Sequence, residues 1–258
     1  MQRLRGMRLK DYKIAIPSYK RADVLEKKTL AFLQKHNIPS EKIFIFVANK
    51  KQREIYKLRL PNYYNKIVVA GLGLAPVRNF IRDYFNEGQY LVSIDDDVNN
   101  LEVRVNEFEC KDLENLDKLI NSAFKVCDKI GCSLWGVYPL VNPKFMNPKP
   151  TADLRFIIGS FFGLINTHDK NTYVSFKSKD DYQRTIKFYL RDGKVLRLNN
   201  VGVDHGFRSL SGGIQAIMDN EQRDKVNIAE IMQLVEKYPT LCEFNKARKG
   251  RYELRLKR

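Results

Sequence analysis

Cysteine and histidine are scarce in this chain, and their spacing excludes several kinds of protein. Four cysteines, Cys110, Cys127, Cys132 and Cys242, include no Cys-x-x-Cys pair, and only three histidines occur in 258 residues. That pattern argues against a structural zinc site, and a chain of this length does not call for a disulfide framework. The cysteines are expected as buried free thiols in a reducing, cytoplasmic compartment. No apolar run approaches the roughly eighteen residues that a membrane-spanning helix needs. Met1 to Arg8 carries charge with no apolar core behind it, so no signal peptide is expected. No internal repeat or evident linker divides the chain, and residues 1–258 read as a single domain. Acidic residues are outnumbered, 30 against 46 Lys and Arg, for a net charge of +16. An excess of that size suggests a polyanionic partner, nucleic acid ahead of membrane. The plainer reading is a surface kept soluble by charge. Hydrophobic residues make up 43%, enough for a substantial core.

One stretch stands out from this background. Tyr90 to Ile94 is a short apolar run that ends abruptly in Asp95, Asp96 and Asp97. Its length and its Val and Ile read as a buried strand. Three adjacent carboxylates repel one another and invite a cation. Oxygen ligands suit a hard ion such as Mg2+ or Mn2+, which shares its shell with substrate phosphates. The bland alternative is turn capping, helped by Asn99 and Asn100.

The chain around that stretch alternates strand and helix. Lys13 to Pro17 reads as a strand stopped by its proline, followed by Ser18, Tyr19, Lys20 and Arg21. A helix is expected from about Asp23, a plausible N-cap, to His36. A strand over 42–48, a polar helix over 50–58 and a strand over 66–70 follow. Gly71 to Asn79 is a glycine-bearing loop that opens a helix, with Gly73 in the loop and Pro76 at a first-turn position. This order predicts a parallel sheet with ligands at the carboxyl ends of its strands. Ser18, Gly71 and Asp95 all fall at such ends.

The second half is more mixed. An amphipathic helix over 113–127 and a strand over 133–138 are expected. Pro139 to Asp153 reads as a loop long enough to act as a mobile lid. Leu154 to Asn166 reads as two short strands or one bent strand. A helix starts near Lys179, a strand covers 194–198, and Asp204-His205-Gly206 and Ser211 to Gly213 lie in a loop. A last helix covers about Glu221 to Lys237. Lys246 to Arg258 carries seven basic residues and one acid.

Pro17-Ser-Tyr-Lys-Arg21, Gly71 to Asn79 and the strand reaching Asp95-Asp-Asp97 together resemble the GT-A glycosyltransferases, across roughly residues 12–215. Within that superfamily the chain is most similar to the TET-associated type found in phages. The resemblance implies an α/β fold with a mainly parallel central sheet flanked by helices and a mixed acceptor-side C-terminal half. It places a nucleotide-sugar-binding half at 12–105, an acceptor half at 106–220, and a C-terminal helix and basic tail at 221–258. It implies a nucleoside-diphosphate sugar donor, with UDP as the nucleotide, and Mn2+ or Mg2+. Asp95 and Asp97 match the outer acids of the family's Asp-x-Asp pattern. Asp97 is then the first choice as metal ligand, Asp95 a metal or ribose contact, and Asp96 a donor-side residue or only a support for the loop. Pro17, Ser18, Tyr19, Arg21, Gly73 and Arg78 fall on the donor side. The late His205 matches a third metal ligand. Asp181, with Asp180 close behind, holds the position of the base that deprotonates an acceptor hydroxyl, kept ionised by the helix N-terminus. Helix capping remains the competing reading for both.

The acceptor implied is a hydroxymethylated pyrimidine in DNA, with the basic tail on the backbone. Such a base must leave the stack to react. Trp135, Tyr138, Phe161 and Phe162 are candidates for its pocket, against core packing. Three other readings stay open. One is transfer to a glycan or protein, one is nucleotidyl transfer, and one is a nucleic-acid-binding module with a decayed site.

Overall fold

The computed structural model describes residues 11–205, 219–245 and 253–257. Alternating burial along the first strands sets the layers. In β1 (Tyr12–Pro17), Ile14 and Ile16 face one side of the sheet and Ala15 faces the other. In β4 (Tyr90–Ile94), Tyr90, Val92 and Ile94 share the first side, and Leu91 takes the second. This is the period-two pattern of a sheet covered on both faces.

A ten-stranded mixed sheet runs in the order β3-β2-β1-β4-β9-β7-β10-β5-β6, with β8 also paired to β10. β2 (Ile43–Val47), β3 (Lys66–Val69), β1 and β4 are mutually parallel. β9 (Phe161–Ile165) is antiparallel to β4 and to β7 (Leu134–Tyr138). β10 (Val195–His205) runs parallel to β7 and antiparallel to β5 (Val98–Arg104) and β8 (Thr151–Asp153). β6 (Cys110–Asp112) closes the edge beside β5.

The helix after β1 has three consecutive parts: α1 (Ala22–Leu25), a π-helical turn (Glu26–Leu30) and α2 (Ala31–Lys35). With α3 (Lys50–Arg59) and α5 (Leu116–Ile130) it covers one face through Leu25, Leu33, Tyr56, Ile120 and Phe124. α4 (Leu74–Tyr84) and α6 (Asp180–Asp192) cover the other through Val77, Ile81 and Phe188. α7 (Asn220–Lys237), β11 (Cys242–Phe244) and β12 (Leu254–Leu256) pack on α6 through Ile186, Ile231, Leu234, Cys242 and Leu254. Among the described residues no helix is long and apolar enough to cross a membrane.

Several local expectations are corrected. Asp23 lies in the first turn of α1, and Arg21 occupies the N-cap without a side-chain cap. Asn99 and Asn100 belong to β5, where strand pairing outweighs their turn preference. Leu154 to Asn166 yields one strand, β9. β10 extends to His205, so Asp204 and His205 sit on a strand end paired with β5; Ser211 to Gly213 lie outside the described residues. The Pro139 to Asp153 loop is tied down: Arg104 Nε donates to Pro143 O (2.9 Å), and Asn199 Nδ2 donates to Lys149 O (2.8 Å). Trp135, Phe161 and Phe162 are core residues. Trp135 packs edge-on against Phe124, and Tyr138 is half-buried under the Arg197 guanidinium. Part of the basic tail is β12, which buries Leu254.

Candidate active site

The carboxyl ends of β1 and β4 open into a crevice of about 700 Å³. Pro17, Ser18, Tyr19, Arg21, Gly73, Arg78, Asp95, Asp96, Asp97, Asp180, Asp181 and His205 all line it. Residues spread over most of the sequence are therefore brought to one place by strand ends.

The donor side is built on the turn after β4. Asp96 is buried and accepts from Ser18 Oγ at 2.5 Å. Ser18 Oγ lies 2.7 Å from the Tyr56 hydroxyl, which accepts from Arg21 N at 3.0 Å. With Ser18 donating to Asp96, the Tyr56 hydroxyl is left to donate to Ser18. Lys20 adopts a left-handed conformation (φ 56°), and its N–H is held by Gln52 Oε1 at 3.0 Å. A non-glycine residue held there marks backbone constrained by its surroundings. Gly73 N-caps α4 with φ 103°, a conformation that glycine adopts without strain.

Arg21 Nη1 reaches Asp96 at 3.3 Å and Asp97 at 3.4 Å, and this one guanidinium faces a crowded set of acids. Burial pushes the Asp96 carboxyl up to about 7, against the pull of Ser18 and Arg21. Burial, then the Asp95 charge, holds Asp97 above its ordinary range, while Arg21 and His205 oppose the rise. His205 reaches this spot because it pairs with Val98 across a β-bulge between β10 and β5. Asp95, Asp97 and His205 line the same crevice. Among the described residues, no group of three or more His, Cys, Asp or Glu side chains is arranged to hold a metal ion. A hard divalent ion at this place would have to draw the rest of its shell from phosphate oxygens or water.

Arg78 links the two halves of the crevice. It is buried, donates from Nη1 to Ser93 Oγ (2.9 Å) and from Nη2 to Gly159 O (2.9 Å), and pairs with Asp95 (3.1 Å) and Asp180 (3.0 Å). Its guanidinium is withdrawn from solvent. Burial works against its charge, yet Asp95 and Asp180 outweigh that and hold its pKa above the ordinary value. Asp180 also meets Arg184 (3.4 Å), so it is buried between two guanidiniums. Asp181 Oδ1 accepts from Tyr182 N at 2.8 Å. Burial, then the Asp180 charge, pushes Asp181 up to about 6. This reverses the direction expected from the helix N-terminus: desolvation outweighs the dipole.

Sequence reasoning missed much of the crevice wall around Asp181. Phe156 and Tyr182 stack at 4.2 Å beside Asp181. Arg223 and Asn227 on α7, and Glu253, line the same half of the crevice. Glu230, also on α7 and buried, accepts from the N–H groups of Lys177 (2.6 Å), Ser178 (3.0 Å) and Lys179 (2.9 Å), just before α6. Beneath the aspartates, Thr29 in the π-helical turn bonds the backbone at Asp95 and Val98. A π turn is a frequent companion of functional sites and has no sequence signature of its own.

The mixed sheet, the helices on both faces and the strand-end crevice define a GT-A fold. No family model matches the sequence, and no curated protein matches it. Among solved structures, the chain superposes on residues 1–349 of TarS from S. aureus with a TM-score of 0.55 and 14% identity, covering 87% of this chain and 65% of that one. The same TarS region in complex with UDP gives 0.54 and 17%, with the same coverage. Glucosyl-3-phosphoglycerate synthase from Mycobacterium tuberculosis, in complex with Mn2+, UDP-glucose and phosphoglyceric acid, gives 0.54 and 9%, covering 96% of this chain and 86% of that one. The chain thus spans slightly less than two thirds of the TarS region. At these identities the likeness establishes the fold.

Proposed function

We propose that this chain is a metal-dependent glycosyltransferase that moves a sugar from a nucleoside-diphosphate donor, UDP being the expected nucleotide, to a hydroxymethylated pyrimidine in DNA. The observation that carries the reading is the meeting of the Asp95–Asp97 turn and His205 with Asp181 across one crevice. The fold is shared with a synthase that holds Mn2+ and UDP-glucose, and with TarS in complex with UDP. Asp97, with Asp95 and His205, would hold Mn2+ or Mg2+. When bound, the ion neutralises charge developing on the departing diphosphate.

The chain's own groups account for the rest. Tyr19 is half-buried at the mouth, available to stack on the nucleotide base. Arg21, now shared between two acids, supplies positive charge to the diphosphate. Asp181 takes the proton from the acceptor hydroxyl as that oxygen bonds to the anomeric carbon and the bond to diphosphate breaks. A carboxyl near 6 is ionised at neutral pH yet basic enough for this task. The DNA acceptor rests on the +16 charge, on the resemblance to the TET-associated type, and on the aromatic pair Phe156 and Tyr182, which takes over the role first expected of the buried aromatics.

The test is incubation with Mn2+, a panel of nucleoside-diphosphate sugars and hydroxymethylated DNA, read by nucleoside mass spectrometry. A hexose or pentose increment on the base is expected. Transfer to short sugar acceptors with none to DNA would reassign the acceptor, and a nucleotide increment would reassign the reaction.

A further inference from the structure

Two of the four cysteines are brought together where α5 ends. Gly131 closes the helix in the left-handed conformation (φ 69°), and Cys132 N donates back to Cys127 O at 3.1 Å. That backbone bond is the mark of a Schellman cap, which sets the side chains at its two ends against each other, commonly as an apolar contact. Here the contact is made by two thiols, with Cys132 Sγ 3.4 Å from Cys127 Sγ. Both are free and buried. The other two cysteines lie elsewhere: Cys110 Sγ meets Met146 Sδ at 3.8 Å, and Cys242 Sγ donates to Leu234 O at 3.3 Å.

The same corner anchors the far end of α6. Ser133 N donates to Asp192 Oδ2 at 2.7 Å, and Ser133 Oγ accepts from Arg191 Nη1 at 2.8 Å. Lys194 Nζ donates to Ile130 O at 3.1 Å. Cys132 thus leads from the cap of α5 into β7 beside the last turn of α6. The two sulfurs differ in acidity. Their mutual hydrogen bond holds Cys132 below the ordinary thiol value against the effect of burial, and with burial it holds Cys127 above that value. Cys132 is therefore the thiol that ionises first, and the thiolate is the reactive form. Gly131 is exposed and helix ends fray, so a small oxidant reaches the pair through a local opening.

We infer that Cys127 and Cys132 form a modification site, a thiol pair that a peroxide converts into a disulfide across the cap of α5. The Cys132 thiolate attacks one oxygen of hydrogen peroxide. An S–O bond forms as the O–O bond breaks, and the departing hydroxide takes up the proton that Cys132 released and leaves as water. The Cys127 sulfur then attacks the sulfenic sulfur. The S–S bond forms, the S–O bond breaks, and the hydroxyl leaves as water with the Cys127 proton. Two thiols and one peroxide give one disulfide and two waters, across a contact that the fold already makes.

The experiment treats the full chain with a small excess of hydrogen peroxide, blocks the remaining thiols with an alkylating reagent under denaturing conditions, and maps the tryptic peptides by mass spectrometry. Trypsin cuts after Lys129, between the two cysteines, so the disulfide holds together two peptides that separate on reduction. Loss of two of the four thiols is expected, with Cys127 linked to Cys132, Cys110 and Cys242 still alkylated, and all four thiols recovered after dithiothreitol. Cys110→Ser should give the same linked peptides as the wild type. Cys127→Ser should give none and should leave Cys132 open to over-oxidation to the sulfinic acid. The mapping is done on the wild type, so a poorly folded variant does not blur the result. A wild type that keeps all four thiols, one that carries sulfinic acid at Cys132 with Cys127 unchanged, or a disulfide formed by any other pair would overturn the site.

Discussion

Thr29 and Asp95, 66 residues apart in sequence, are joined by a hydrogen bond on which the aspartate turn rests. The Thr29 hydroxyl donates to Asp95 O at 2.7 Å and accepts from Val98 N at 3.1 Å, so one side chain spans the turn from its first residue to the strand beyond it. Thr29→Val keeps the shape and strands a buried N–H and a carbonyl. A loss of about 1–3 kcal/mol is expected in denaturant unfolding. Thr29→Ser should recover most of it. Equal stability of the Val and Thr proteins would show that the turn holds itself.

Removal of Asp97 separates a metal role from a structural one. Asp97 is held above the ordinary carboxylate range by burial and by Asp95, so Asp97→Ala should leave the metal-free protein as stable as the wild type or more so. The thermal shift that Mn2+ plus UDP produces in the wild type should disappear, and sugar transfer with it. Near-normal turnover in the variant would remove Asp97 from the metal site.

The pH behaviour of Asp181 has a definite sign. Its folded pKa of about 6 lies above the reference value of 3.8, so the folded state holds the proton more tightly. The stability contributed by this group is complete below 3.8 and is lost as pH rises through about 6. Asp96 acts in the same direction up to about 7. Transfer should move the opposite way and rise through about pH 6 as the base ionises. In Asp181→Asn the acid-side stabilisation should shrink and kcat should fall roughly 100-fold or more. A pH–rate profile that keeps its acid limb in the variant would assign the limb to another group.

The C-terminal tail calls for point changes rather than truncation. Removing all residues after Glu243 would delete β12 and uncover Leu254's place in the small core under α7, so lower stability is expected whatever the tail binds. Neutralising Lys246, Arg248, Lys249 and Arg251 together avoids the strand. Binding to hydroxymethylated DNA should then weaken, with a shallower dependence of log affinity on log salt. A slope identical to that of the wild type would take the tail off the DNA.

The strand ends and the helix start on the β1 and β4 side of the crevice were legible because their signals are local. Apolar runs stop sharply at Pro17 and Asp95, and Gly73 and Pro76 mark a helix start within a few residues. The supports of the site were hidden because each partner lies far along the chain. Thr29, Tyr56 and Glu230 look like ordinary helix residues until the fold brings Asp95, Ser18 and Lys177 to them. The strand expected over 194–198 runs on to His205, and within it the Asn199 amide satisfies Lys149 O and Thr151 Oγ1. Trp135 and Phe161 carried no mark in sequence that distinguishes a pocket aromatic from a core one. Burial decided between them, and Phe156 and Tyr182 are the aromatics that line the crevice beside Asp181.

Glu230 gives the crevice wall beside Asp181 a mechanical character. Three backbone N–H groups of Lys177, Ser178 and Lys179 share its single carboxylate, so the start of α6 and the body of α7 are coupled through one side chain. Moving α7 outward by the length of one hydrogen bond would strand all three donors at once. The wall that presents Arg223 and Asn227 therefore travels together with Asp181. Anything that presses on this wall meets one stiff boundary rather than a set of side chains that yield separately.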